Sequence, residues 1–131
     1  MLERHTCRPV RPEDEADLFG GLAIDGDDGF ELIDLLAETF GIDMSAYRWY
    51  FHYGEEGHNV GAHFFAPPYR RVSRMPFSLE TLVEPAETKR WPIIYPDHEL
   101  PKVRWDIRFN QIFAALASVG LAVWLWQRFL G

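Results

Sequence analysis

One cysteine, Cys7, stands among the 131 residues. No disulfide can form within the chain, and the soluble part is expected in a reducing compartment. Lys and Arg are missing altogether between Arg11 and Arg48, where Asp and Glu recur. That half repels nucleic acid and suits a basic protein surface. The opening residues, "MLERHTCRPVRP", hold no apolar run of the kind that heads a secretion signal, so export is not expected. No phosphate-binding glycine loop, dinucleotide fingerprint or Ser-His-Asp context occurs, which leaves catalysis without a residue set and predicts a non-enzyme with no cofactor. Nor is there an internal repeat. What is present is a formal net charge of −7 and a hydrophobic fraction of 47%, enough to pack one small core.

The segment "RPEDEADLFGG" sets Pro12 at a first helical position, acids in the first turn and Gly20 and Gly21 as a stop, predicting a short helix from Pro12 to Phe19. A stronger helix follows. Phe30, Ile33, Leu36, Ala37 and Phe40 recur at helical spacing, Leu32 and Leu35 widen the stripe, and Gly41 ends it. Asp28 and Glu31 have the spacing of a capping box. On the other face Glu31, Asp34 and Glu38 fall three and four apart beside Asp27 and Asp28, forming an acidic ridge.

From Tyr47 to Phe65 aromatics and glycines replace this periodicity, compatible with a short β-hairpin turning through "GEEGHN" or with a packed irregular loop. "APPYRRVSRMP" is a basic, proline-punctuated connector. In "FSLETLV" Ser78 is placed to cap a short helix that Pro85 stops. "WPIIYPDHELP" is too rich in proline for regular structure, so residues 92–108 are predicted to be a linker.

The last segment differs in kind. Ile112 to Trp126 carries no charge, and Ser118 is its sole hydroxyl or amide side chain. Extended through Phe109–Gln111 and Gln127–Leu130, a helix over 109–130 reaches the roughly 30 Å of a hydrocarbon core. Arg108 and Arg128 are then free to snorkel, and Phe109, Trp124 and Trp126 fall at the interfaces. Every face is apolar, whereas a core helix normally shows one polar side; burial in the core or in a partner is the other reading. Lys89, Arg90, Lys102, Arg104 and Arg108 precede the segment against Arg128 after it, which orients the N-terminal domain to the cytoplasm. Ala114, Ser118 and Ala122 make a small-residue row on which another helix could pack.

Asp25, Asp28, Glu31 and Leu32, followed by Glu38, Phe40, Gly41 and Ile42, match the acyl carrier pattern Asp-Ser-Leu-Asp, two residues, Glu-Leu, and an apolar helix ending Glu-x-Phe-Gly-Ile. Tyr50 and Phe51, then Pro76 to Leu82, then Trp91, continue as in a small bacterial family of acyl-carrier-like proteins. From Leu18 to Trp91 the chain resembles that family, most closely in the first long helix. The resemblance implies an all-α, carrier-like bundle over residues 1–91; it does not include the linker or the C-terminal segment, whose own composition and flanking charge predict one membrane helix in the bacterial inner membrane. It breaks at the serine that bears phosphopantetheine, because Gly26 stands there with Asp27 after it. Without a hydroxyl no phosphodiester forms.

What survives is the acidic ridge, similar to the surface by which carriers are gripped by basic patches. The expected role is therefore docking of a basic partner by Asp27, Asp28, Glu31, Asp34 and Glu38. One alternative is an atypical carrier or lipid-synthesis accessory using Ser78, whose "FSLETLVE" echoes the attachment motif. Another is a structural subunit of a membrane complex packed through Ala114, Ser118 and Ala122.

Two metal readings fail on spacing. "DGDDG" lacks the later ligands of an EF-hand, since Gly29, Phe30 and Leu36 stand where an acid, Gly and Glu are needed. His52, His58 and His63 with Glu55 and Glu56 fit no zinc spacing, so no metal is expected. Arg70, Arg71 and Arg74 offer charge to membrane lipid, but a solvated connector is the favoured reading.

Overall fold

Two acids follow Asp25 in the first turn of "GDDGFELIDLLAETF", where the helix dipole favours them, and Gly41 ends the segment. In the computed structural model, which describes residues 16–131, this segment is a helix, Gly26–Phe40. Gly41 adopts the left-handed conformation (φ 64°), and both it and Ile42 donate to the carbonyl of Ala37. We label the helices α1 (Leu18–Gly21), α2 (Gly26–Phe40), α3 (Pro68–Arg71), α4 (Glu80–Thr88) and α5 (Trp105–Phe129). The described residues are thus all-α, with five helices, no strand and one long apolar C-terminal helix.

Contacts divide the chain into two units. The first comprises the described residues up to Glu56 together with Val72–His98. Leu32, Ile33 and Leu36 of α2 are buried there with Leu18, Phe19, Phe77 and Trp91. Burying each such side chain contributes about 1.5–3 kcal/mol. Rings supply much of this packing: Phe77 stacks on Trp91 (5.3 Å between centroids, 13° between planes), and Phe19 lies 5.4 Å from Phe77. A two-residue parallel bridge joins the segments leaving α2 and α4. In it Asp43 N–H donates to Lys89 C=O at 2.9 Å and Trp91 N–H to Asp43 C=O at 3.2 Å.

The second unit comprises Gly57–Arg71 and Glu99–Gly131. Its fold is simple: the 3-10 turn Val60–His63 packs on the start of α5. The compact units therefore do not divide at residue 91.

Several expectations are corrected. The helix expected over Pro12–Phe19 begins at Leu18 among the described residues, capped by Asp17, whose carboxylate accepts from Gly20 N–H at 3.3 Å; residues 12–15 lie outside those described. Gly20 and Gly21 lie within it because a four-residue turn needs little helix propensity once Leu18 and Phe19 are buried. The N-cap of α2 is Asp25, not Asp28, so no capping box forms. Phe30 and Phe40 are each about 40% exposed, since the buried stripe runs through Gly29, Leu32, Ile33 and Leu36.

No hairpin forms over Tyr47–Phe65. Two 3-10 turns, Trp49–Phe51 and Val60–His63, occupy it, because contacts between rings rather than a ladder bury its side chains. Pro85 lies inside α4 instead of stopping it. Its ring is buried, its missing N–H costs one helical bond, and α4 ends at Lys89, left-handed at φ 61°. Helix α5 starts at Trp105, four residues before 109, so the linker ends sooner than 108.

Candidate functional site

The acidic ridge is a surface. Asp27, Asp28, Glu31, Asp34 and Glu38 are all exposed, and none forms an ion pair with another described residue. The ridge tops a strongly acidic unit: the first unit's described residues carry fourteen acids and four bases, whereas the second carries six bases and two acids. A net charge of −7 thus conceals two units of opposite sign. An apposed basic surface would meet a field from the whole first unit, not from α2 alone.

Gly26, at the carrier serine's position, is buried and locked. Its φ is +53°, and a Cβ built on it would collide with the side chain of Glu56. Its N–H donates to Gly54 C=O at 2.9 Å, and Gly54 N–H in turn donates to Asp25 Oδ1 at 3.0 Å. The start of α2 is therefore sewn under the Gly54–Glu56 segment, where a serine would be strained and its hydroxyl covered. Ser78 is half-buried and engaged: its Oγ accepts from Thr81 N–H at 3.2 Å and lies 2.8 Å from Thr81 Oγ1, a capping arrangement.

Sequence reasoning missed a buried polar chain in the first unit. His52 is fully buried. Its Nδ1 lies 3.1 Å from Met75 C=O, which can only accept, so Nδ1 carries the proton. Its Nε2 lies 2.8 Å from Tyr95 Oη, which also takes the Trp91 indole N–H at 2.8 Å. Burial pushes the imidazole down to about 4, against the pull of the Met75 carbonyl. Beside it Arg74 donates to His52 C=O at 3.0 Å and forks onto Asp17 at 2.6 and 3.0 Å. Burial tends to raise the Asp17 carboxyl, but the Arg74 guanidinium together with the Gly20 and Phe77 N–H groups outweighs it and holds the group below its usual range. His52 is walled in by rings while the Arg74–Asp17 pair reaches the surface, and together these bonds fix the fold.

In the second unit a polar clamp holds the Val60–His63 turn to α5. Asn59 Nδ2 donates to Asp106 Oδ2 at 2.8 Å, while Asn59 Oδ1 accepts from Asn110 Nδ2 at 2.7 Å and Ala62 N–H at 3.0 Å. Asn110 Oδ1 takes Gly61 N–H at 2.8 Å, and Arg104 forks onto Asp106 at 2.9 and 2.6 Å. Asp and Asn four apart at the head of an apolar segment were the available signal. Their partner, some fifty residues earlier, carried none.

From Gln111 onward every residue of α5 is exposed. Ala114, Ser118 and Ala122 lie on this bare length, and Ser118 Oγ donates to Ala114 C=O at 2.8 Å, which satisfies the hydroxyl within the helix. Among the described residues no three of the candidate metal ligands gather. His52 belongs to the first unit, His58 and His63 to the second.

No family model, curated protein or solved structure matches the chain. The class that the described residues define is all-α, with one C-terminal helix long and apolar enough to span a membrane.

Proposed function

We propose that this chain is a single-span membrane protein whose acidic first unit is a non-catalytic, acyl-carrier-like docking module for a basic partner on the cytoplasmic face of the bacterial inner membrane. The observation that carries the docking role is the exposure of five carboxylates on α2 without one ion pair to the described residues. Unpaired charge on one face is available to a partner and gives steering as well as register. Anchoring is supported by α5, which from Ile112 to Trp126 is apolar on all sides and uncovered by the other described residues. Cytoplasmic orientation is supported by Lys102, Arg104 and Arg108 before its charge-free length against Arg128 after it. The locked, buried Gly26 supports a module that presents a carrier-like surface without bearing the prosthetic group.

The test is capture of membrane partners by the full-length protein in mild detergent, followed by intact-mass measurement of the purified chain. The double variant Glu31→Lys, Asp34→Lys should lose most of the captured material, and rising salt should mimic the loss. Equal capture by both chains sinks the docking role. A mass increment of phosphopantetheine on Ser78 would instead make the protein a carrier.

A further inference from the structure

The second unit contains exposed aromatic side chains where a water-facing connector would not keep them. Phe64 is 67% exposed and Trp105 54%. Phe64 packs on Phe109 (5.0 Å between centroids), which stacks on Phe113. Phe109 is the first residue of the stretch between Arg108 and Arg128 that carries no charge. At 1.5 Å per residue that stretch spans about 28 Å, close to a hydrocarbon core. Whatever depth α5 reaches at Phe109, Phe64 shares it, because the clamp of Asn59, Asp106 and Asn110 fixes the turn to the helix. The clamp also removes the cost of polar groups at that level: Asp106 is 2% exposed, and its carboxylate is met by Arg104 and Asn59.

Beside this aromatic edge lies an open groove of about 400 Å³, lined by Asn59, Val60, His58, His63, Tyr69 and Arg70 among others. No carboxylate of the described residues lines it. Arg70 sits over the Tyr69 ring and donates to Ala62 C=O at 3.3 Å, and no acid among the described residues is paired to it. The unit's two acids are Glu99 and Asp106, and Asp106 is already held by Arg104. A cation with no counter-ion among the described residues, next to aromatic side chains at the depth where a helix enters lipid, suits a phosphate headgroup.

We propose that the segment Gly57–Arg71 is a membrane-embedded foot: Phe64 and Phe65 enter the acyl boundary of the leaflet, and the groove at Tyr69 and Arg70 takes the headgroup of an anionic phospholipid. This rests on α5 spanning the membrane, and the experiment separates the two. Full-length protein in a Cys7→Ser background is nitroxide-labelled at Phe64→Cys, Leu116→Cys or Val83→Cys. It is reconstituted into discs of phosphatidylcholine with phosphatidylglycerol at a ratio of about 7:3, a leaflet with the negative surface that basic side chains seek. The label at 64 should be accessible to oxygen and shielded from a water-soluble nickel complex, as at 116, whereas 83 should be open to nickel.

Spin-labelled phosphatidylglycerol should be enriched about twofold over phosphatidylcholine at the protein, with at least half of that preference lost in Arg70→Gln and kept in Arg70→Lys. A nickel-accessible 64 with a shielded 116 overturns the foot and leaves the span standing. Nickel access at both positions overturns the span and the foot together. Lipid selectivity unchanged by Arg70→Gln overturns the headgroup site.

Discussion

Gly61 lies so close to the backbone carbonyl of Asp106 that a Cβ on it would overlap that oxygen. The obstacle is main chain in a clamped helix, which no rotamer change relieves. Gly61→Ala should cost about 2–3 kcal/mol, the upper range for overpacking, and should free the Val60–His63 turn. Gly120→Ala is the contrast. It lies in the interior of α5 with nothing within 4 Å of its Cβ, so it should be neutral or gain up to about 1 kcal/mol. Unfolding of both variants in micelles, with amide exchange at residues 60–63, checks the pair.

Gly26→Ser restores the carrier residue by sequence and should fail by structure. A serine there meets a positive φ and the Glu56 side chain, costing about 1–3 kcal/mol. Co-expressed with a broad-specificity phosphopantetheinyl transferase, the variant should keep its unmodified mass, since the N-terminus of α2 is bonded to Gly54. An added phosphopantetheine at position 26 would show that the segment opens.

His52 makes stability depend on pH in a defined window. Its folded value is about 4 and its ordinary value 6.5. Above 6.5 both states are neutral and nothing is lost. Between 6.5 and 4 the unfolded chain takes a proton that the folded chain refuses, so stability falls as pH falls. Below 4 the loss levels off at roughly 3 kcal/mol. Asp17, depressed from 3.8, contributes only below this window. Chemical unfolding from pH 7 to 4 should show a one-proton slope, and His52→Gln should abolish it.

The buried hydroxyls of Tyr47 and Tyr53 lie near each other, and among the described residues neither has a partner in good hydrogen-bond geometry. Burial pushes the Tyr53 phenol up to about 12, so the group stays neutral. Tyr53→Phe keeps the ring contacts with Phe19 and Phe30 and removes a desolvated oxygen. It should be neutral or stabilise by about 1 kcal/mol in thermal unfolding.

Periodicity in the sequence reached as far as periodicity governs the fold. It located α2 and, with Gly41 as a stop, its end, because a helix repeating one pattern for four turns writes that pattern in side chains; the apolar length of α5 was legible instead as a run without charge. It misplaced the start of α2, where Gly26 is positive in φ and Gly29 makes room for the Tyr53 ring, since glycine reads only as a break. In Tyr47–Phe65 the packing unit is a ring against a ring, so no spacing carried it. The acidic ridge was legible because exposed charge needs no partner, and the clamp was not, because Asn59 gains its meaning from residues 106 and 110.

That dependence makes Asn59 the most informative position in the second unit. Asn59→Asp changes one amide to a carboxylate of the same shape. Oδ1 can still accept from Ala62 N–H and Asn110 Nδ2, but the donor to Asp106 Oδ2 at 2.8 Å is gone and two carboxylates face each other. With Asp106 buried and already committed to Arg104, the like-charge contact should cost about 2–4 kcal/mol at neutral pH. A proton shared between the two carboxylates would replace the lost donor, so this variant should recover stability relative to wild type as pH falls. Asn59→Ala, which loses all three side-chain bonds without adding charge, should stay destabilised at every pH. Unfolding of the three chains in micelles at pH 7 and pH 5 distinguishes these outcomes, and an Asn59→Asp deficit unaffected by pH would mean that the turn leaves α5 when its charge changes.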